Sequence, residues 1–286
     1  MEEKKPNIAE ALDQKVKEMQ DTLKKARGLL EKGNPKKALP LLTSVTDKFD
    51  RLTFFSSDEH QWFLSAEEPF EFDITLYKNP EEKRAIKSTN GFPFAEGYYL
   101  LGKAHCLNKK FEDAARALQT ALKWNPSYFD ASLLLAQIGH GNDEKAYRAR
   151  LNASLEVAFR PRQLEEVYGA LGASFASDSL YAPASYCYLR AIAFAKNGEK
   201  WQRELYKIEK AAKKTLTELF AEAPLDSIPN TYGFLENPER LWGKLALTLG
   251  KQNLEAKMGE GALYYLNIAL PLLPDVDVKS LIAKAK

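Results

Sequence analysis

Cysteine and histidine are scarce in this chain, and each scarcity closes off a kind of chemistry. Cys106 and Cys187 are the two cysteines in 286 residues. Each lies in a helical pattern where a small, half-apolar side chain packs well, so no disulfide framework is expected. His60, His105 and His140 are the three histidines, and none stands at a metal-ligand spacing from cysteine or carboxylate. His105 reads as a packed residue and His140, between two glycines, as an exposed turn residue. No apolar run approaches the length of a membrane span, and MEEKKPNIAEALDQKVKEMQ lacks the apolar stretch of a secretory signal, so the expected compartment is the cytoplasm. An excess of either charge sign is lacking too. Lys plus Arg number 41 against 39 Asp plus Glu, a net charge of +2, which leaves no footprint for nucleic acid or an anionic membrane beyond a local basic patch. GNPKKA is not a phosphate-binding loop, and neither G-x-G-x-x-G nor G-x-S-x-G occurs. No metal, cofactor or catalytic residue is expected, and the chain reads as a non-enzyme. The triplet Asn152, Ala153, Ser154 matches a glycosylation acceptor by chance on a helix.

What the chain does hold is a repeat. A shift of 70 residues lays Tyr98, Leu101, Gly102, Phe111, Ala114, Leu118 and Ala121 onto Tyr168, Leu171, Gly172, Tyr181, Ala184, Tyr188 and Ala191. An internal period marks a stacked array in which each unit buries its apolar face against its neighbours. Small residues at fixed places have a packing role: Gly102 and Ala114 let two helices of a hairpin meet, and Ala121 admits the next repeat.

Five segments are expected. Residues 1–50 form a first hairpin, with Val16, Met19, Leu23, Ala26, Leu29 and Leu30 at helical spacing before the Gly33, Asn34, Pro35 break. Residues 51–94 are an aromatic-rich insertion (Phe54, Phe55, Trp62, Phe63, Phe70, Phe72, Tyr77) that packs onto the array, with EEPFEFDITLYK helical and looser flanks. Residues 95–198 hold the core repeats, 199–238 a long helix from Trp201 to Phe220 and a linker, and 239–286 a final hairpin with a lengthened loop and a capping helix.

Residues 95–128, FAEGYYLLGKAHCLNKKFEDAARALQTALKWNPSY with its flanks, resemble the tetratricopeptide motif. Tyr98, Leu101, Gly102, Ala104 and His105 stand at the first helix's motif positions, Phe111 at the turn, Ala114, Leu118, Ala121 and Leu122 on the second helix and Pro126 at the exit. Twice about 35 residues is near the tetratricopeptide period of about 34, with one worn repeat between the good copies. The order FEFDITLYK, GYYLLGK, ALKWNP, FRPRQLEEVYGALG, CYLRA is similar to an uncharacterised bacterial tetratricopeptide family. The resemblance implies an all-α fold, a right-handed superhelical solenoid of helical hairpins. It also implies a concave groove lined by the first helix of each repeat, placing there Glu96, Tyr99, Leu100, Lys103, Leu133, Leu134, Gln137, Glu166, Gly169, Ala170 and Ala173.

The function expected from the resemblance is a protein-interaction scaffold that binds a peptide or amphipathic helix in that groove, with neither nucleic acid nor membrane as partner. Apolar anchors would sit beside Tyr99, Leu100, Leu133 and Leu134, with Lys103, Glu96 and Glu166 setting orientation; the small Gly169, Ala170 and Ala173 would admit a helix backbone. The lysine and asparagine clamp of chaperone-binding members is missing. Tyr99 and Lys103 stand there instead, and Glu166 with Ala170 replaces the later basic pair, which disfavours an acidic carboxyl-terminal tail in the groove. Three alternatives stand beside this reading: a groove filled from within by residues 51–94 or by the helix at 200–222, a structural protein that pairs with its own copies, and a sensor of a small ligand or peptide.

Overall fold

The computed structural model describes residues 8–52, 55–141, 143–235 and 237–286; Phe54, one of the insertion's aromatics, lies outside the described residues. The described residues form fifteen helices and one two-stranded sheet. They divide into two compact units, residues 1–138 and 139–286, a boundary that falls inside the span of core repeats.

In the first unit, α1 (Ile8–Glu31) and α2 (Pro35–Phe49) form a hairpin. Gly33 ends α1 in the left-handed region at φ +69, where a side chain would be strained, and Pro35 fits the first turn of α2, where its missing N–H costs nothing. Met19, Leu23, Ala26 and Leu30 of α1 and Ala38, Leu42, Val45 and Phe49 of α2 are buried at helical spacing.

The insertion is a small β-α-β unit. β1 (Gln61–Leu64) and β2 (Ala85–Ser88) pair in parallel, Trp62 opposite Ile86, with α3 (Pro69–Lys78) in the crossover. The helix starts two residues later than the sequence pattern suggests, because Glu68 is its N-cap and Glu71 closes a capping box. Four-residue strands carry too little alternation to announce themselves. Phe55 meets Phe63, Phe92 and Phe94 at centroid distances of 5.4, 5.1 and 5.3 Å, and Phe94 stacks on Trp124 at 4.1 Å. The Ser65 amide donates to the Trp124 carbonyl (2.9 Å), which ties the strand end to the exit of the next hairpin.

That hairpin is α4 (Phe94–Leu107) and α5 (Phe111–Trp124), followed by α6 (Phe129–Ile138). A Cβ on Gly102 would lie 2.7 Å from Leu118 Cγ, so α4 and α5 touch only because no side chain intervenes. In the second unit, the same relation recurs 70 residues on, where a Cβ on Gly172 would lie 2.6 Å from the Tyr188 ring.

The second unit runs α7 (Glu144–Leu155), α8 (Pro161–Ser177), α9 (Tyr181–Phe194), α10 (Glu199–Ala212), α11 (Leu216–Glu222), α12 (Ile228–Tyr232), α13 (Pro238–Glu255), α14 (Gly259–Leu272) and α15 (Val278–Ala285). The single helix expected from Trp201 to Phe220 is two. Lys213 turns left-handed at φ +54, and Thr215 opens α11 with a capping box to Glu218. The lengthened loop expected in the last hairpin is likewise helix, since α13 continues to Glu255 and leaves three residues before α14. Asp277 caps α15 by accepting from the Ser280 amide.

Candidate partner-binding surfaces

In the first unit, α4 and α6 are neighbours and carry the predicted groove residues. Leu100 is 1% exposed and Leu133 7%, so both belong to the interior and cannot anchor a partner. Leu100 belongs to the core cluster of the first unit, and Tyr99 and Leu134 pack against that cluster with part of their surface left open. Tyr99 is half-buried, edge-on to Tyr128 at 5.3 Å, with Lys103 Nζ 5.8 Å from its ring centroid. Leu134 is half-buried and Gln137 exposed. Leu107, one turn beyond Lys103, is 50% exposed. Glu96 pairs with Arg27 at 2.6 Å, and burial raises its carboxyl above the ordinary range against the pull of that guanidinium.

The insertion brings acids to this end that the sequence pattern did not single out. Glu71 is 5% exposed, and its Oε2 accepts from the Glu67 amide (2.8 Å), the Glu68 amide (3.3 Å) and Asn125 Nδ2 (2.8 Å). Burial and the neighbouring Glu67 push its carboxyl up to about 7, against those hydrogen bonds. Glu67 Oε1 accepts from the Tyr128 hydroxyl at 2.6 Å. Crowding by protein atoms, with Glu96 and Asp130 behind it, raises its carboxyl too, while Tyr128 and Arg27 oppose; because its surface stays largely open, solvent screens much of that effect. The signal for Glu71 was present in Glu68-Pro69-Phe70-Glu71, a cap followed by proline and a carboxylate three on; nothing local foretold that Asn125 and Tyr128 would meet these acids.

The second unit holds the rest of the predicted set. Gly169 does not receive a partner. A Cβ there would lie 2.1 Å from the Trp201 ring of α10, so the place left by the glycine is filled by this chain's own tryptophan. The Trp201 indole donates to Glu165 Oε1 at 3.0 Å and stacks on Tyr188 at 5.8 Å. Ala170 is half-buried, whereas Ala173 and Glu166 are exposed, Glu166 lying 3.8 Å from Arg162 one turn back. Glu239, 2% exposed, accepts from the Tyr168 hydroxyl (3.2 Å) and from Arg190, whose guanidinium lies 5.5 Å from the Tyr168 and Phe194 centroids. A buried ion pair of this kind costs desolvation and returns it through hydrogen bonds; it fixes α9 against α13.

One cluster invites a chemical test. His140, expected as a plain exposed turn residue, stacks on Tyr147 at 3.7 Å and places Nε2 2.7 Å from Glu144 Oε1. Ser174 donates to the other oxygen of Glu144. Serine and histidine thus share a carboxylate rather than touching, and Ser174 is 3% exposed, so the imidazole cannot take the hydroxyl proton and the substrate cannot reach it. His105 Nδ1 lies 4.0 Å from Asp113, and burial lowers the imidazole pKa. Asn152 donates to the Gly233 carbonyl at 2.9 Å from within α7. Among the described residues no three His, Cys, Asp or Glu side chains converge to hold a metal ion, and no helix is long and apolar enough to cross a membrane.

The comparisons with known proteins agree with the hairpin geometry. A tetratricopeptide repeat model matches residues 95–128, which are α4, α5 and the turn into α6. None of the curated proteins compared matches the chain. Repeats of this kind generally mediate protein–protein interaction and are typically non-enzymatic scaffolds. On the matched hairpin, its recurrence around Gly172 and the helical architecture, this chain is a tetratricopeptide-repeat-containing protein.

Proposed function

We propose that the chain is a cytoplasmic, non-enzymatic scaffold that binds a partner peptide or amphipathic helix on the face of α4 and α6. The observation that carries this is the line Tyr99, Lys103, Leu107, spaced one turn apart along α4, with part of each side chain open and Leu134 and Gln137 beside it on α6. Tyr99 and Leu134 supply apolar contact, and Lys103 sets orientation by charge. Glu96 is committed to Arg27 and serves as a wall of the site rather than as a free anchor. The second unit is the poorer candidate because Trp201 already occupies the place at Gly169.

The test is capture of binding partners from native lysate by wild type, Lys103→Glu and Ala173→Glu, read by mass spectrometry. Both substituted positions keep solvent access, so both variants should fold. A partner lost by Lys103→Glu and kept by Ala173→Glu supports the site on α4 and α6. Partners kept by both variants, or lost only by Ala173→Glu, refute it. A concentration-dependent mass in sedimentation that Lys103→Glu abolishes would make the occupant a second copy of this chain.

A further inference from the structure

α10 carries four cations and three glutamates, and the cations share one face, with Glu199 at its start and Glu204 and Glu209 to either side. Trp201, Leu205 and Ile208 form its buried face, and α10 packs on α9 through it. On the opposite face Lys200, Arg203, Lys207 and Lys210 follow at intervals of three or four residues, all exposed, with Tyr206 beside them at 66% exposure. That places one cation per turn along about 15 Å of helix. Two are engaged at home, Lys200 over the Trp201 ring at 3.9 Å and Lys207 with Glu204 at 2.8 Å. Arg203 and Lys210 have no ion-pair partner among the described residues.

We propose that this face of α10 docks an acidic helix of a partner protein, a surface separate from the one on α4 and α6. Charge complementarity selects the occupant. A helix with carboxylates three and four residues apart repeats its negative charge at the same rise as the cations of α10, so successive pairs meet in register. A nucleic acid carries a phosphate every few ångströms and would bring several of them against Glu199, Glu204 and Glu209, which lie on this same helix. A membrane-surface helix needs an apolar face to insert, and the apolar face of α10 is spent on α9. Tyr206 offers the aromatic contact that holds a partner once charge has steered it in.

The experiment uses the full chain and a fluorescein-labelled, alanine-based helical peptide with glutamates at i, i+3, i+7 and i+10, with its lysine counterpart as control. Anisotropy should show the glutamate peptide binding wild type at low ionic strength, weakening as salt is added, and the lysine peptide failing to bind. R203E/K210E should weaken binding by about tenfold, since each reversal removes an exposed pair and adds a repulsion. R203Q/K210Q should fall between. Circular dichroism should show α10 retained in both variants, with R203Q/K210Q melting close to wild type and R203E/K210E somewhat lower, because reversal at 203 faces Glu199 one turn back and reversal at 210 sets an acid in the last turn of the helix. The proposal is overturned if the glutamate peptide does not bind, if R203E/K210E binds it as wild type does, or if an oligodeoxythymidylate or phosphatidylserine vesicles bind more tightly than the peptide and are lost in the same variant.

Discussion

Glu71 shows how one side chain couples the insertion to the repeat. Its carboxyl caps α3 and holds Asn125 at the exit of α5, yet it is taken from water to do so. With its pKa raised from about 4.5 in the unfolded chain to about 7, the folded state favours the protonated form. The stabilisation is therefore fully present below about pH 4.5 and is lost as pH rises through about 7. Glu71→Gln keeps an acceptor oxygen for the two amides and Asn125 without the charge. We expect it to melt above wild type at about pH 8, by on the order of 1–3 kcal/mol, with the gap closing towards pH 4. Thermal melts across that range decide it, and a variant less stable than wild type at pH 8 would show that the hydrogen bonds of the ionised carboxylate outweigh its burial.

At the scale of elements, the helices meet where side chains are missing. Gly169→Ala would press a methyl into the Trp201 ring, and the indole cannot yield without giving up Glu165 and Tyr188. The expected cost is about 1–3 kcal/mol, seen as a lower urea midpoint. Gly28→Ala is the control. Nothing lies within 4 Å of its Cβ position on α1, so the exchange should gain about 0.5–1 kcal/mol from helix propensity. Equal effects at the two sites would deny Gly169 its packing role. These contacts explain what the sequence made legible. Gly102 and Gly172 stand out because a close approach tolerates no other residue, and the period of 70 follows from that. Leu100 and Leu133 were misplaced because motif numbering gives a helix face only to within a residue's turn, and neighbouring helices decide which side is closed. The break at Lys213 was readable in Thr215 and Glu218 but was masked by an apolar pattern that runs on through Leu219. Short strands and long-range partners such as Glu71 with Asn125 leave no local pattern at all.

At the scale of the molecule, the division at residue 138 raises a question that periodicity alone could not pose: whether one unit of the array is self-sufficient. In a stacked array stability is a sum of nearest-neighbour terms, so a run of repeats with its own closed core should fold as a unit. Residues 1–138 meet that condition. Their core runs from Met19 through Leu42, Phe49, Phe94 and Leu118 to Ala131, and Ile138 at the end of α6 packs against it. Phe94 is the link, touching Phe49 of the first hairpin at 4.7 Å, Phe55 of the insertion and Trp124 of the repeat. Residues 1–138 produced alone should therefore melt in one cooperative transition, seen alike in helical circular dichroism and in the emission of Trp62 and Trp124, the two tryptophans that the fragment keeps of the chain's four. Phe94→Ala in that fragment should cost about 3–5 kcal/mol. Because the ring bridges all three parts, the loss should appear at the same temperature in helical circular dichroism and in tryptophan emission. A gradual, non-cooperative melt of the unsubstituted fragment, or two separated transitions after the substitution, would show that the insertion and the repeat are stabilised by different contacts and that the aromatic cluster is not their common core.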